Sequence, residues 1–209
     1  MAQPAYKLDA RFTWDDYRLW PDDERWELIG GKPFAMSPGP TYRHQAVSMK
    51  LGAKLAQALA GRRCEVLAAP MDVKLSDHDV VQPDLLVVCD PAKIRFTHIE
   101  GPPELVVEIA SEGSVRHDRI RKLNLYARSG VKEYWLITPY PSMVEVLVLD
   151  GQRYEIAGTF HDRCVLESPT LPAIRIPLNE VFVFETSEDE PLNEIEECPP
   201  PYPQTEPAP

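Results

Sequence analysis

Residues 105–111 read Leu-Val-Val-Glu-Ile-Ala-Ser, an almost continuous apolar run broken by one acid. A strand of this kind has no side that suits water, so the chain must supply a covering layer on each of its faces. Glu108 is the exception. An unpaired carboxylate buried in such a strand costs several kcal/mol or is forced to take a proton. A cation, a metal or a hydrogen-bond donor must therefore reach Glu108 from elsewhere in the chain.

The flanking sequence supplies the layers. Thr13 before Asp15 and Asp16 predicts a short helix that stops near Pro21. RWELIG and KPFAM flank Gly30-Gly31, a dipeptide suited to a tight hairpin. Val47, Leu51, Leu55 and Leu59 recur every fourth residue and predict a helix with one core-facing stripe, stopped by Gly61. Strand-like runs follow at CEVLAAP, MDVKL, PDLLVV and ELVVEIAS, then a helix over about 115–129, then strands at EYWLIT and MVEVLVL. RYEIA, CVLES and AIRIP add peripheral strands before LNEVFVF, read as a short closing helix. This order predicts an α/β (α+β) domain with a mixed central sheet flanked by helices.

The 209 residues and 44% apolar content fit one such domain over 1–184. Residues 185–209 hold eight acids and no Lys or Arg, and their Pro- and Glu-rich composition predicts a disordered tail. The formal charge of -11 therefore sits largely in that tail, which leaves a mildly acidic domain. The start of the chain lacks the pattern of a signal peptide, and no apolar stretch approaches the roughly 20 residues of a membrane span. A cytoplasmic protein without membrane contact is expected. Cys64, Cys89, Cys164 and Cys198 are scattered without a C-x-x-C pair, so four reduced thiols are expected, with neither disulfides nor a zinc site.

Asp84 opens DLLVV much as Glu108 interrupts its own run. Alternation puts Glu108 on one face with Val106 and Ala110, and Leu105, Val107 and Ile109 on the other. Two acids converging on one site would repel, and a hard divalent cation such as Mg²⁺ relieves that repulsion. Structural hydrogen bonds or an ion pair explain the same pattern equally well at this level. In the helix that follows, Asp118, Lys122 and Tyr126 share one side and Ile120, Leu123 and Ala127 form a neighbouring apolar stripe. A solvated Asp118–Lys122 pair would be ordinary, but if this helix covers Glu108, Lys122 can bring the missing positive charge. Glu27, between Trp26 and Leu28, reads either as a further acid or as a solvent-facing strand residue.

RWELIGGKPFAMSP, His44, QPDLLVV, PPELVVEIAS and the helix bearing Asp118, Lys122 and Tyr126, running into GVKEYWLITP, together resemble the Uma-two family of restriction-endonuclease-like proteins, within the PD-(D/E)xK nuclease superfamily. The resemblance runs in order from about Trp14 to Phe184. It implies a central mixed sheet flanked by helices, with Pro83-Asp84 as the PD element and Glu108 as the second acid. The superfamily's lysine, two positions after that acid, is replaced here by Ala110, and the matching position is Lys122 on the next helix. Glu27 matches the additional N-terminal acid. His44, Gln82, Asp118 and Tyr126 fall at family motif positions as supporting residues; for His44 a capping or surface role is the common alternative.

The activity so implied is metal-dependent hydrolysis of DNA phosphodiester bonds. Asp84, Glu108 and the Ile109 carbonyl are expected to hold Mg²⁺, with Mn²⁺ as a substitute, and Glu27 to join them. Lys122 is expected to act on the attacking water, held in place by Tyr126 and Asp118. The expected partner is nucleic acid, and a homodimer would provide the two sites that cutting a duplex requires. The alternative is a nuclease-fold module with weak or no catalysis that binds nucleic acid or protein, which the acidic balance and the lack of a Lys/Arg stripe favour.

Overall fold

Thr13 opens the first helix with a reciprocal cap: its hydroxyl accepts from the Asp16 amide at 3.4 Å and its amide donates to the Asp16 carboxylate at 2.8 Å. The computed structural model describes residues 11–21, 24–36, 39–110, 115–184 and 198, with 115–119 described by backbone alone. Apart from Cys198, the expected tail lies outside the described residues, as does the side chain of Asp118. The elements in chain order are helix α1 (Trp14–Tyr17), β1 (Trp26–Ile29), β2 (Lys32–Ala35), α2 (Tyr42–Ala58), β3 (Glu65–Ala68), β4 (Val73–Ser76), β5 (Asp79–Val81), β6 (Leu85–Val88), β7 (Ile99–Glu100), β8 (Leu105–Ile109), α3 (Val115–Ser129), β9 (Glu133–Thr138), β10 (Met143–Asp150), β11 (Arg153–His161), β12 (Val165–Glu167) and β13 (Arg175–Pro177). LNEVFVF forms only a 3-10 turn, Leu178–Glu180. No described helix is long and apolar enough to cross a membrane.

Six strands in the order β11-β10-β9-β8-β6-β3 form the larger sheet, which is mixed as expected. Only β8 and β9 run parallel, and α3 is the crossover between them. Alternation along each strand divides the core. Leu85, Val87, Leu105, Val107, Ile109, Trp135 and Ile137 pack with Val47, Leu51 and Leu55 of α2, and Ile176 of the β12–β13 hairpin joins them. Leu86, Val88, Val106, Tyr134 and Leu136 face the other way, against α3 and a second sheet.

That second sheet, β2-β1-β5-β4-β7, stands beside the expected mixed central sheet. MDVKL belongs to it, paired with β5 and β7, whose three and two residues are too short to show any period in the sequence. One correction concerns α3. Ile120 is 59% exposed, whereas Lys122, Leu125 and Tyr126 are buried. The helix buries its polar side because Glu108 lies beneath it.

The cysteines also depart from expectation: Cys64 bonds to Cys89 and Cys164 to Cys198. Sequence spacing could not show this, since Cys64 and Cys89 meet only because β3 and β6 pair antiparallel with Glu65 opposite Val88. At the opposite end of β9 from Thr138, buried Glu133 accepts from Trp135 Nε1 at 2.6 Å, Ser168 Oγ at 2.7 Å and the Thr170 amide at 3.1 Å. Burial raises its pKa, and these donors oppose the shift. This cluster ties the β12–β13 connection to the larger sheet.

The β1–β2 hairpin has the predicted two-residue turn, with Gly30 at φ 61° and Gly31 at φ 76° and Ile29 opposite Lys32. A Cβ on Gly30 would meet open space, but one on Gly31 would lie 3.0 Å from Arg11 Cβ and 3.2 Å from the Phe12 carbonyl oxygen. Gly30→Ala should therefore cost about 1 kcal/mol, from the positive φ alone, and Gly31→Ala roughly 1–2 kcal/mol more. Chemical denaturation of the two variants checks this order; equal losses would contradict it.

Candidate functional site

Glu27 and Glu108 come from different sheets, and one ammonium joins them. Lys122 Nζ lies 2.9 Å from Glu27 Oε1 and 3.0 Å from Glu108 Oε1. Tyr126, one helical turn further along α3, donates its hydroxyl to the same Glu108 oxygen at 2.6 Å. The sequence predicted that Tyr126 would hold Lys122; instead it anchors Glu108. Lys122 is held by the two acids, and Asp118's expected part in positioning it lies outside the described residues.

The titration behaviour follows from burial and charge. Burial pushes the Glu108 carboxyl up to about 7; Lys122 opposes that shift, while Asp84 and Glu27 reinforce it. For Lys122 burial favours the neutral amine, yet Glu108 and Glu27 outweigh it and hold its pKa well above the usual lysine range. Lys122 is thus a stable ammonium. Burial, with Glu108 alongside, raises Tyr126 far above the usual phenol range and keeps it a donor.

Gln82-Pro83-Asp84 carries the chain from β5 in one sheet to β6 in the other. Pro83 has no amide hydrogen to continue a ladder, which suits a change of sheet at this point. Asp84, placed at the start of β6, accepts from the Ile109 amide through Oδ2 at 2.7 Å. Its other oxygen lies 3.2 Å from His44 Nε2 on the first turn of α2. Burial would lower the His44 pKa, but the Asp84 hydrogen bond and charge, with Glu108 and the Ile109 backbone, raise it above the ordinary value. His44 Nδ1 is buried without a hydrogen-bond partner. Thr41, not His44, caps the helix, its hydroxyl accepting from the His44 amide at 3.3 Å.

Gln82 holds the N-terminal acid. Its backbone amide donates to Glu27 Oε1 at 3.1 Å, while its side chain accepts from Arg25 Nε at 3.0 Å and donates to Asp72 Oδ1 at 2.9 Å. The Tyr17 hydroxyl donates to the same Asp72 oxygen at 2.8 Å. Tyr17, Arg25 and Asp72 were not singled out from the sequence. Their common signal was weak: each is a polar group beside a half-buried element, and only the tertiary fold brings the three to Gln82. Of the candidate residues, Glu27, His44, Gln82, Asp84, Glu108, Ile109, Lys122 and Tyr126 form one connected cluster.

Because Lys122 is the ammonium between two buried carboxylates, Lys122→Met should cost about 3–5 kcal/mol, the penalty for leaving buried charge uncompensated. The double variant Lys122→Met/Glu27→Gln should recover part of that loss. A double-mutant cycle by urea denaturation measures the coupling, and additive losses would refute it.

Residues 14–179 match the family Uma2, described as "Putative restriction endonuclease". An uncharacterized protein of Synechocystis sp. is 27% identical over 132 residues, which cover 62% of this chain and 69% of that protein. In fold, the chain is similar to a crystal structure from Anabaena variabilis, described as a "putative nuclease belonging to DUF820". That similarity has a TM-score of 0.67 at 19% identity and covers 82% of this chain and 97% of the other. At 19% identity that likeness concerns the fold alone, whereas the family match spans most of the chain, and the protein belongs to the Uma2 family.

Proposed function

We propose that the protein is a metal-dependent endonuclease that hydrolyses DNA phosphodiester bonds at the Glu27, Asp84, Glu108 and Lys122 cluster. The observation that carries this reading is the pairing of Glu27 and Glu108 across one ammonium on the seam between two sheets, with Asp84 near enough to act on Glu108. The donor chemistry fits a hard cation: Asp84, Glu108 and the Ile109 carbonyl offer oxygen ligands. Mg²⁺ or Mn²⁺ bound there would polarise the phosphate and lower the pKa of bound water.

The protein's own groups do the rest. Lys122, an ammonium in this arrangement, orients the attacking water and screens charge that develops on the phosphate oxygens, which suits it better than a role as base. Tyr126 fixes Glu108, and Gln82 fixes Glu27. His44 approaches Asp84 from the opposite layer and can meet a phosphate oxygen. Cutting both strands of a duplex would use two copies related as a homodimer.

A second reading, a nuclease-fold module that binds without cleaving, is favoured by the closure of the cluster. Asp84, Glu108 and Glu27 each already have a protein donor or cation. Nicking of supercoiled plasmid DNA separates the two. With Mg²⁺ or Mn²⁺ the wild-type chain should nick, and chelation should stop it. Asp84→Ala, shown folded by circular dichroism, should lose at least about a hundredfold in rate. No nicking by wild type under any of these ions would favour the binding module.

A further inference from the structure

We infer that His161, Cys164 and Cys198 form a binding site for a soft divalent cation of the zinc class once the Cys164–Cys198 bond is reduced. The site shares no residue with the carboxylate cluster and does not depend on the activity proposed there. Its three ligand atoms all lie within 4.8 Å of one another. His161 Nε2 is 3.6 Å from Cys198 Sγ, and Cys164 Sγ is bonded to that same sulfur. Cys64 and Cys89 gather no such third ligand among the described residues.

Two of the ligands are fixed by the fold. His161 ends β11 and Cys164 follows it in a turn closed by the Cys164 amide on the His161 carbonyl at 3.1 Å. The Cys164 carbonyl accepts from the Leu178 amide at 2.9 Å, and the Cys164 side chain, only 2% exposed, packs in the core beneath α2. Cys198, which is exposed, supplies the third ligand from the other side. Zinc–sulfur distances of about 2.3 Å place two thiolates roughly 3.7 Å apart in a tetrahedral site, so the sulfurs need separate only modestly after reduction.

The chemistry balances. A dithiol reductant gives two electrons and two protons to the Cys164–Cys198 bond and is itself oxidised to a disulfide, which leaves two thiols. The cation then displaces both protons to solvent and takes the lone pair of His161 Nε2. In the disulfide form the Arg163 amide, 3.2 Å from His161 Nδ1, favours the tautomer protonated at Nε2. Metal binding at Nε2 moves that proton to Nδ1, which gives up the Arg163 amide and donates instead to the Asp162 carboxylate, 3.5 Å away. Solvent completes the fourth position. Two thiolates and an imidazole select a soft or borderline cation, whereas the oxygen donors around Asp84 select a hard one.

Cobalt(II) alone is the probe, because only thiolate ligands give it an intense near-ultraviolet charge-transfer band; carboxylate binding does not. The full chain, reduced with a phosphine, should develop that band and saturate at one equivalent, and zinc should displace it. Cys198→Ser, at an exposed position, should abolish the band; Cys64→Ser should keep it; His161→Ala should weaken cobalt binding at least tenfold. Absence of the band in reduced wild type, its persistence in Cys198→Ser, or its loss in Cys64→Ser would overturn the assignment.

Discussion

The Lys122 ammonium is the contact on which the arrangement depends. Glu27 belongs to the smaller sheet, Glu108 to the larger and Lys122 to the crossover helix, so this one charge binds three layers, whose other contacts are largely apolar apart from the Arg128–Asp79 pair. Apolar burial brings such layers together without fixing their relative position, because it is not directional. A buried ion pair is directional, and it tolerates little displacement since any separation exposes uncompensated charge to a poor solvent. The smaller sheet is aligned on the larger one by the same groups proposed to carry the chemistry.

Asp84 extends this alignment to α2, on the other face of the larger sheet. Its two oxygens face in two directions, one to the Ile109 amide on β8 and one to His44 on α2. β6 and β8 are antiparallel neighbours, so the beginning of one and the end of the other fall at the same edge of the sheet. This is why acids 24 positions apart in sequence share a site. Gln82 performs a similar service for Glu27 from the opposite side, with its side chain held by Arg25, Asp72 and its backbone turned to the acid.

Much of this was legible where a residue's setting is local. The Gly30-Gly31 turn, the Val47–Leu59 stripe and the limits of α3 follow from conformational freedom and periodicity, and alternation correctly set Glu108 apart from Val107 and Ile109. What escaped was decided by tertiary contact. β5 and β7 are strands only because of their neighbours, β1 and β4 for β5 and β4 for β7. The burial of Lys122 and Tyr126 in place of Ile120 reverses what amphipathicity implies, since two carboxylates outweigh one isoleucine. Tyr126's choice of Glu108 over Lys122 and the pairing of the cysteines likewise depend on which strands become neighbours.

The pleat of β8 has a consequence for how chain length can vary. Its odd-numbered side chains fill the layer under α2 and its even-numbered ones face α3. Inserting or deleting a single residue within the strand would exchange Glu108 with an aliphatic neighbour, leaving the ammonium facing a methyl group and a carboxylate lodged among leucines. A change of two residues would preserve the parity and shift the acid along its own face. For this strand, length is a binary variable before it is a continuous one.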